Sequence, residues 1–284
     1  MRFQVTITIL KIAATIIGVM IAMSLAYPLF YIVGEALVGK PTHLITDLRE
    51  LAEYGITLDN FVRILTKEGF YVSLRNTLLV SAVTVILAVA VIIPAAYGFS
   101  RFEFKGKDTL LYYYLIVSQA GGGMGVLAIL ALYIFILRLS ASGINLLTIA
   151  VLPFIYVSGL VPYQVWLMKS YFDQLPRSLD EAAFIDGASW PTIIFRVIFP
   201  ASRAAFIIIT LFAFMSAWGE FIIANILGLQ TLGKFVFEQA AGQAGLMEPA
   251  TFAAASILYA IPIIILFVVA QKYIGEAYKL GTKG

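Results

Sequence analysis

Six stretches of this chain run for about twenty residues or more with almost no charge, and no other feature restricts its fold so strongly. A hydrocarbon core of ~30 Å is crossed by about 20 apolar residues of helix. The stretches lie near Ile12–Val33, Ser73–Phe99, Leu110–Leu137, Asn145–Met168, Ala204–Leu227 and Phe252–Tyr273. Each is a continuous run, without the alternation that a lumen-facing barrel strand imposes, so helices are expected. Composition agrees: 61% of residues are hydrophobic and 12% are Asp, Glu, Lys or Arg, against roughly a quarter charged in a water-soluble domain. The first stretch follows Met1-Arg2 but is too long for a signal peptide, and no small-residue cleavage site follows it.

The same inventory removes much of enzymology. Cysteine is absent and His43 is the only histidine, so disulfides, thiolate or histidine metal sites and Ser–His–Asp triads are excluded. No paired carboxylates lie within the spans. No catalytic residue, metal or cofactor is therefore expected. A formal net charge of +3 is too small to point to nucleic acid.

Basic residues set the orientation. With the N-terminus inside, Lys40, Arg49, Arg63, Lys67, Arg75, Arg138 and Lys234 fall outside, and the remaining twelve of the nineteen fall inside. An excess of Lys and Arg marks the cytoplasmic loops, so both termini are expected to be cytoplasmic. The expected fold is an all-α, multi-pass protein of the cell (cytoplasmic) membrane: six transmembrane helices bathed in membrane lipid. Residues 1–70 hold the first helix and an external loop, with Asp59 as a cap for a short helix near Asn60. Residues 71–284 hold a core of five helices and a long cytoplasmic loop, 169–203.

That loop carries the most informative residues. Ser178 with Glu181 three positions on has the spacing of a capping box, and Asp180 and Glu181 suit the positive end of a helix dipole. Gly187 supplies a stop, and Pro191 fits the first turn of a following helix. The expectation is a short helix, a bend, and a second helical segment. On physical grounds alone the short helix is either an interfacial helix lying on the membrane or a docking element for a partner.

The segment Glu181-Ala182-Ala183, three residues, Gly187, nine residues, Val197, one residue, Phe199-Pro200 resembles the signature of importer permeases of the ATP-binding-cassette superfamily. Val197 and Phe199 stand where the family pattern has Ile and Leu. Trp166 to Phe172, Asp186-Gly187-Ala188, Thr251 to Ala255, Ile261-Pro262 through Lys272 and the tail Thr282-Lys283-Gly284 are similar to the carbohydrate branch, especially the six-span permease of maltose transporters. The resemblance covers the chain beyond residue 70. It implies a coupling helix between spans four and five, seated on an ATPase subunit, with Glu181, Ala182, Ala183, Asp186, Gly187 and Pro200 as the coupling residues. It further implies a second permease subunit, two ATP-binding-cassette ATPase subunits and an extracytoplasmic sugar-binding protein as partners. The external loop Gly228–Ala250 would meet the binding protein, and the tail Glu276–Gly284 the ATPase pair. The cargo it implies is a carbohydrate, a maltose or maltodextrin-type oligosaccharide first, with another small solute as the alternative.

Other candidates carry two readings each. Glu220, within Trp218-Gly219-Glu220-Phe221, is either a gate or cavity-lining group or a side chain reaching the outer interface; ionisable groups in a membrane default to function. The family has a similar Trp-Asn-x-Phe segment, and Gly219 departs from it. Gln119, Gln164 and Asn225 either line a path or join helices by hydrogen bonds. Gly121 to Gly125 interrupts the third span, for close helix packing or for backbone exposure to a cavity. Pro94, Pro153, Pro162 and Pro262 are expected to kink their helices. Gly228 to Phe235 nearly spells a phosphate-binding loop, but Phe235 stands where Ser or Thr is required and no strand precedes it. A membrane-embedded enzyme lacks any catalytic constellation here, and a stand-alone carrier leaves the loop motif unexplained.

Overall fold

A computed structural model describes residues 2–47, 49–124, 126–242 and 247–281. Among them the regular structure is helical, apart from one isolated antiparallel bridge between Val38 and Ile56. Five stretches are long and apolar enough to cross a membrane: Leu10–Leu37, Phe70–Arg101, Ile149–Phe172, Arg203–Ile226 and Pro249–Lys272. In lipid a helix satisfies its own backbone, which is why apolar runs of this length take no other form.

In chain order, α1 (Arg2–Leu37) leads into two short helices, α2 (Glu50–Tyr54) and α3 (Asp59–Thr66). Then come α4 (Phe70–Arg101), α5 (Lys107–Met124), α6 (Val126–Ala141) and α7 (Leu152–Phe172). The stretch expected as a third span is thus divided between α5 and α6. Gly125, the last member of its glycine run, lies outside the described residues. Neither half matches the thickness alone, since 16 residues of α6 rise only about 24 Å.

Beyond α7 the chain forms α8 (Ser178–Ile185), then a helical segment from Trp190 to Ala201. That segment opens as α9 (Trp190–Thr192), widens to a π-turn over Ile193–Ile198 and closes as α10 (Phe199–Ala201). It is followed by α11 (Arg203–Gly219), α12 (Ile222–Ile226), α13 (Leu232–Ala241) and α14 (Pro249–Gly281).

Two compact units share the chain. The first takes residues 1–70 and 236–261. Within it Ala36 packs with Ala253 and Ala254, and Val38 and Ile45 pack with Ala250. Asn60, fully buried, donates through Nδ2 to the carbonyls of Ala36 at 3.0 Å and Val38 at 2.9 Å, closing the end of α1. The helix it belongs to starts at Asp59, whose N–H is received by Thr57 Oγ1 at 3.1 Å. Asp59 itself therefore caps nothing. In the preceding loop His43 Nε2 lies 2.6 Å from Glu50. Bonds from the Thr46 hydroxyl and from His43, with the amides of Thr46 and Asp47, bring the Glu50 carboxyl down to about 2.

The second unit takes residues 71–235 and 262–284. Its main core joins Ile92, Ile93 and Ala96 of α4, Val165, Met168 and Phe172 of α7, Ile193 and Ile198, and Phe206, Ile209 and Ala213 of α11. A second cluster gathers Val80, Ile136, Leu152, Tyr156, Ala217, Ala224 and Leu227. Small residues bring the backbones close, and packing of this kind holds helices together where lipid supplies no hydrophobic drive.

Two expectations are corrected here. Pro153 lies in the first turn of α7, where its missing N–H has no helical partner to lose, so it starts that helix rather than kinking it. The fifth apolar stretch is not one helix. It breaks at Glu220, whose backbone is extended (φ −80°, ψ 126°), and resumes as α12. Pro94, Pro162 and Pro262 do lie inside their helices.

Candidate functional site

The loop between α7 and α11 is built from the backbone outward. Leu179 N–H donates to Pro176 O at 3.2 Å, and the amides of Asp180 and Glu181 donate to Arg177 O at 3.0 and 3.1 Å. The helix therefore starts at Ser178 without a side-chain cap, and the Ser178–Glu181 capping box expected from the spacing does not form. Ser178 is already the first helical residue, one place too far along to act as the cap.

At the other end the expectation holds. Gly187 has φ +76°, a left-handed conformation that a Cβ resists. Its N–H donates to Phe184 O at 3.0 Å and that of Ala188 to Ala183 O at 3.0 Å, the paired bonds of a Schellman stop. Pro191 then sits in the first turn of α9.

Burial divides α8 into two faces. Asp180 and Ala183 are buried, whereas Glu181, Ala182, Phe184, Ile185, Asp186 and Gly187 are exposed. Ala183 joins the main core. Pro200, exposed, stands in α10. Of the six residues expected to act together, five lie on or directly after α8; Pro200 begins the approach to α11.

Asp180 has partners that the sequence did not advertise. Its Oδ1 accepts from the Tyr97 hydroxyl at 2.6 Å, and its Oδ2 lies 2.9 Å from Arg101 Nε. Both side chains of the ion pair are buried, 7% exposed for Arg101 and 9% for Asp180. Arg101 Nη2 also donates to Leu175 O at 3.2 Å. Beside it, Ser100 Oγ donates to Asp173 Oδ1 at 2.7 Å, and Lys169 Nζ donates to Asp173 Oδ2 at 2.7 Å. Partial burial pushes the Asp173 carboxyl up, but these bonds and the nearby lysine charges win and hold it below its ordinary range.

Around this cluster lies an aromatic wall. Trp190 meets Phe184 edge-on at 4.4 Å between centroids, Phe102 at 4.9 Å and Tyr97 at 6.0 Å. With Arg177 and Glu181 these rings border a cavity of about 150 Å³ beside the exposed face of α8.

The pathway candidates fall in different settings. Glu220 Oε2 accepts from the Tyr156 hydroxyl at 2.6 Å; Oε1 accepts from the Ile223 amide at 2.6 Å, and the Ala224 amide approaches Oε2 at 3.4 Å. It thus serves the first amides of α12, where a negative charge is favoured. Trp218 is fully buried and stacked on Phe214 at 5.3 Å, so it is no interface anchor. Asn225 is part-exposed on α12, five residues from Glu220. Gln164 is fully buried in α7, and neither of its side-chain amide atoms has a hydrogen-bond partner among the described residues. Gln119 is exposed on α5. Glu220 and Asn225 share one break; no hydrogen bond joins either to Gln164 or Gln119 among the described residues.

No cluster of three metal-ligating side chains occurs among the described residues. The phosphate-loop lookalike is a bend at Gly228 leading into α13.

A family model described as the binding-protein-dependent transport system inner membrane component matches residues 107–279, well over half of the chain. The chain belongs to that family. The maltodextrin transport system permease protein MalD of Streptococcus pneumoniae is 32% identical over 236 residues, 81% of each chain. The trehalose/maltose transport system permease protein MalG of Thermococcus litoralis is 31% identical over 285 residues, 96% of this chain and 97% of that one. Among solved structures, a chain of a bacterial ABC transporter that imports the acidic polysaccharide alginate superposes with a TM-score of 0.69 at 21% identity. It covers 93% of this chain and 96% of that one, a likeness of fold. The protein is accordingly a multi-pass transport permease of the ATP-binding-cassette type and not an enzyme.

Proposed function

We propose that this permease conducts a carbohydrate, an oligosaccharide of the maltose or maltodextrin type, into the cell by alternating access. The similarity of nearly the whole chain to the trehalose/maltose permease of Thermococcus litoralis carries this reading. The working complex would contain a second permease, two ATPase subunits on the cytoplasmic face and an extracytoplasmic sugar-binding protein. Residues 71–284 form the core permease domain in this reading. α5 and α6 together supply a sixth span, leaving both termini cytoplasmic.

In this complex α8 is the coupling helix. Glu181, Ala182 and Asp186 are exposed and available to an ATPase subunit, Ala183 seats the helix on its own chain, and the left-handed Gly187 sets the bend toward Pro200. A rigid helix end held in a moving subunit converts closure of the ATPase pair into displacement of the spans. The loop Gly228–Ala250, of which residues 243–246 lie outside the described residues, faces the binding protein. The tail Glu276–Gly284 meets the ATPase pair; its last three residues also lie outside them. Glu220 and Asn225 form a gate at the break between α11 and α12, and Gln164 and Gln119 belong to the path.

The test is uptake by the reconstituted complex. Proteoliposomes containing all subunits should accumulate labelled maltotriose only with ATP inside and the binding protein outside. Accumulation of a different solute class, with maltotriose excluded, would overturn the substrate assignment.

A further inference from the structure

We propose that α4 is a transmission rod, gripped at both ends by polar side chains. It links the coupling helix to the loop 230–232 at the opposite end of the helix. The inference rests on the reading of α8 as the ATPase-docking element and goes beyond it by naming the route of the movement.

The observation is a repeated pattern. At the C-terminal end of α4, Tyr97, Ser100 and Arg101 stand at i, i+3 and i+4, which is one face of a helix. That face holds Asp180, Asp173 and the Leu175 carbonyl through the bonds already described. At the N-terminal end Ser73, Asn76 and Thr77 repeat the same spacing. Gln230 Nε2 donates to Ser73 Oγ at 3.0 Å, Asn76 Nδ2 donates to Gln230 O at 2.9 Å, and the Leu232 amide donates to Thr77 Oγ1 at 2.7 Å. Ser73, Thr77, Tyr97 and Ser100 are all buried. Each triad therefore grips a segment more than seventy residues away in sequence.

Directional bonds matter here. Apolar contacts such as Ala183 on the core resist separation but are non-directional and tolerate sliding and rotation. The buried ion pair and the hydroxyl–carboxylate bond fix both the position and the rotation of α8 relative to α4, and charge-assisted bonds are the strong ones. Between the grips Val80, Ala88, Ile92, Ile93 and Ala96 are buried in the two cores, which braces the helix on both sides of Pro94. A helix of 32 residues is about 48 Å long. A displacement entering at Asp180 is therefore delivered to the 230–232 loop, and a contact on that loop is returned to α8, as reciprocity of coupling requires.

The experiment uses the complete complex in proteoliposomes, with the cognate binding protein loaded with maltotriose. Three quantities are read: co-purification of the ATPase subunit, basal ATP hydrolysis, and stimulation of hydrolysis by the loaded binding protein. Arg101→Gln at one end, measured on the fraction that folds because it leaves Asp180 buried without its counter-charge, and Thr77→Val at the other should each leave assembly and basal hydrolysis intact. Stimulation should fall by about tenfold, within the range for residues along a coupling route. Arg101→Lys, which keeps the charge, should recover part of it. Tyr97→Phe, which removes one hydroxyl and preserves the packing, should lose about two- to fivefold and keeps the test decisive if Arg101→Gln fails to insert. Unchanged stimulation in Tyr97→Phe and Thr77→Val would overturn the rod. So would loss of assembly in step with hydrolysis, which makes the grip a docking contact. Glu181→Lys separates the two ideas: full assembly and stimulation there would remove the docking role of α8, whatever the α4 variants do.

Discussion

Two carboxylates in this permease are held by tyrosines at the same distance, and they are built differently. Asp180 takes the Tyr97 hydroxyl at 2.6 Å and sits 2.9 Å from a buried arginine. Glu220 takes the Tyr156 hydroxyl at 2.6 Å but is otherwise balanced by backbone amides of α12. The first is a full charge pair in a nearly closed site. The second is a charge against dipoles at a half-buried helix break. A buried ion pair is costly to open, because either partner alone is left uncompensated. A carboxylate at a helix N-terminus is favoured by only about 0.3–2 kcal/mol, so it is held less tightly. Asp180 is thus the more tightly held of the two, and the gate proposed at Glu220 would have the weaker set of bonds to break.

The largest effect should come from breaking the first site. Asp180→Ala leaves Arg101 buried and unpaired, and the expected loss is about 3 kcal/mol of fold stability, read as the midpoint of denaturant unfolding in detergent. Next is the bend that follows α8. Gly187→Val places a branched side chain at φ +76°, at about 1–2 kcal/mol. Uptake should be lost while membrane insertion, checked by fractionation, is retained. At the second site Tyr156→Phe removes one of the bonds to Glu220 and should cost ~1 kcal/mol in the same unfolding measurement. A loss equal to that of Asp180→Ala would erase the distinction between the two sites.

The smallest effect concerns the loop before α2, where a carboxylate is held without a buried counter-charge. The Glu50 carboxyl lies at about 2, below its ordinary 4.5, mainly through the Thr46 hydroxyl and then His43. A lowered value favours the folded loop above the ordinary range, and that contribution is lost as pH falls from about 4.5 toward 2. Proteolysis of the segment around residues 43–54 should accelerate across that window and become pH-independent there in Glu50→Gln.

Particular residues show where reading the sequence succeeds. The Glu181–Pro200 segment was legible because its meaning is local: a short helix, a left-handed glycine and a proline start recur at fixed spacing. The capping box failed by one residue, since the Arg177 carbonyl already receives the first amides. The break at Glu220 was hidden because Phe221-Ile222-Ile223-Ala224 continue the apolar run without interruption. Tyr97 and Arg101 were visible only as residues near a span end. Their i, i+4 spacing with Ser100 between them was the available signal, yet their partner lies some eighty residues on.

The sequence by itself determined that this chain lives in a membrane, as helices, and that the loop 169–203 carries the signature of its family. Hydrophobic length and local backbone rules act over a few turns, so they can be read along one strand of text. Tertiary structure alone decided which charges meet. It buried Asp180 against Arg101, set the Glu220 carboxylate against the first amides of a new helix, and left Gln164 enclosed without a hydrogen-bond partner among the described residues. The reason is physical: the energy of a polar group inside a membrane protein depends on what surrounds it, and those neighbours come from distant parts of the chain.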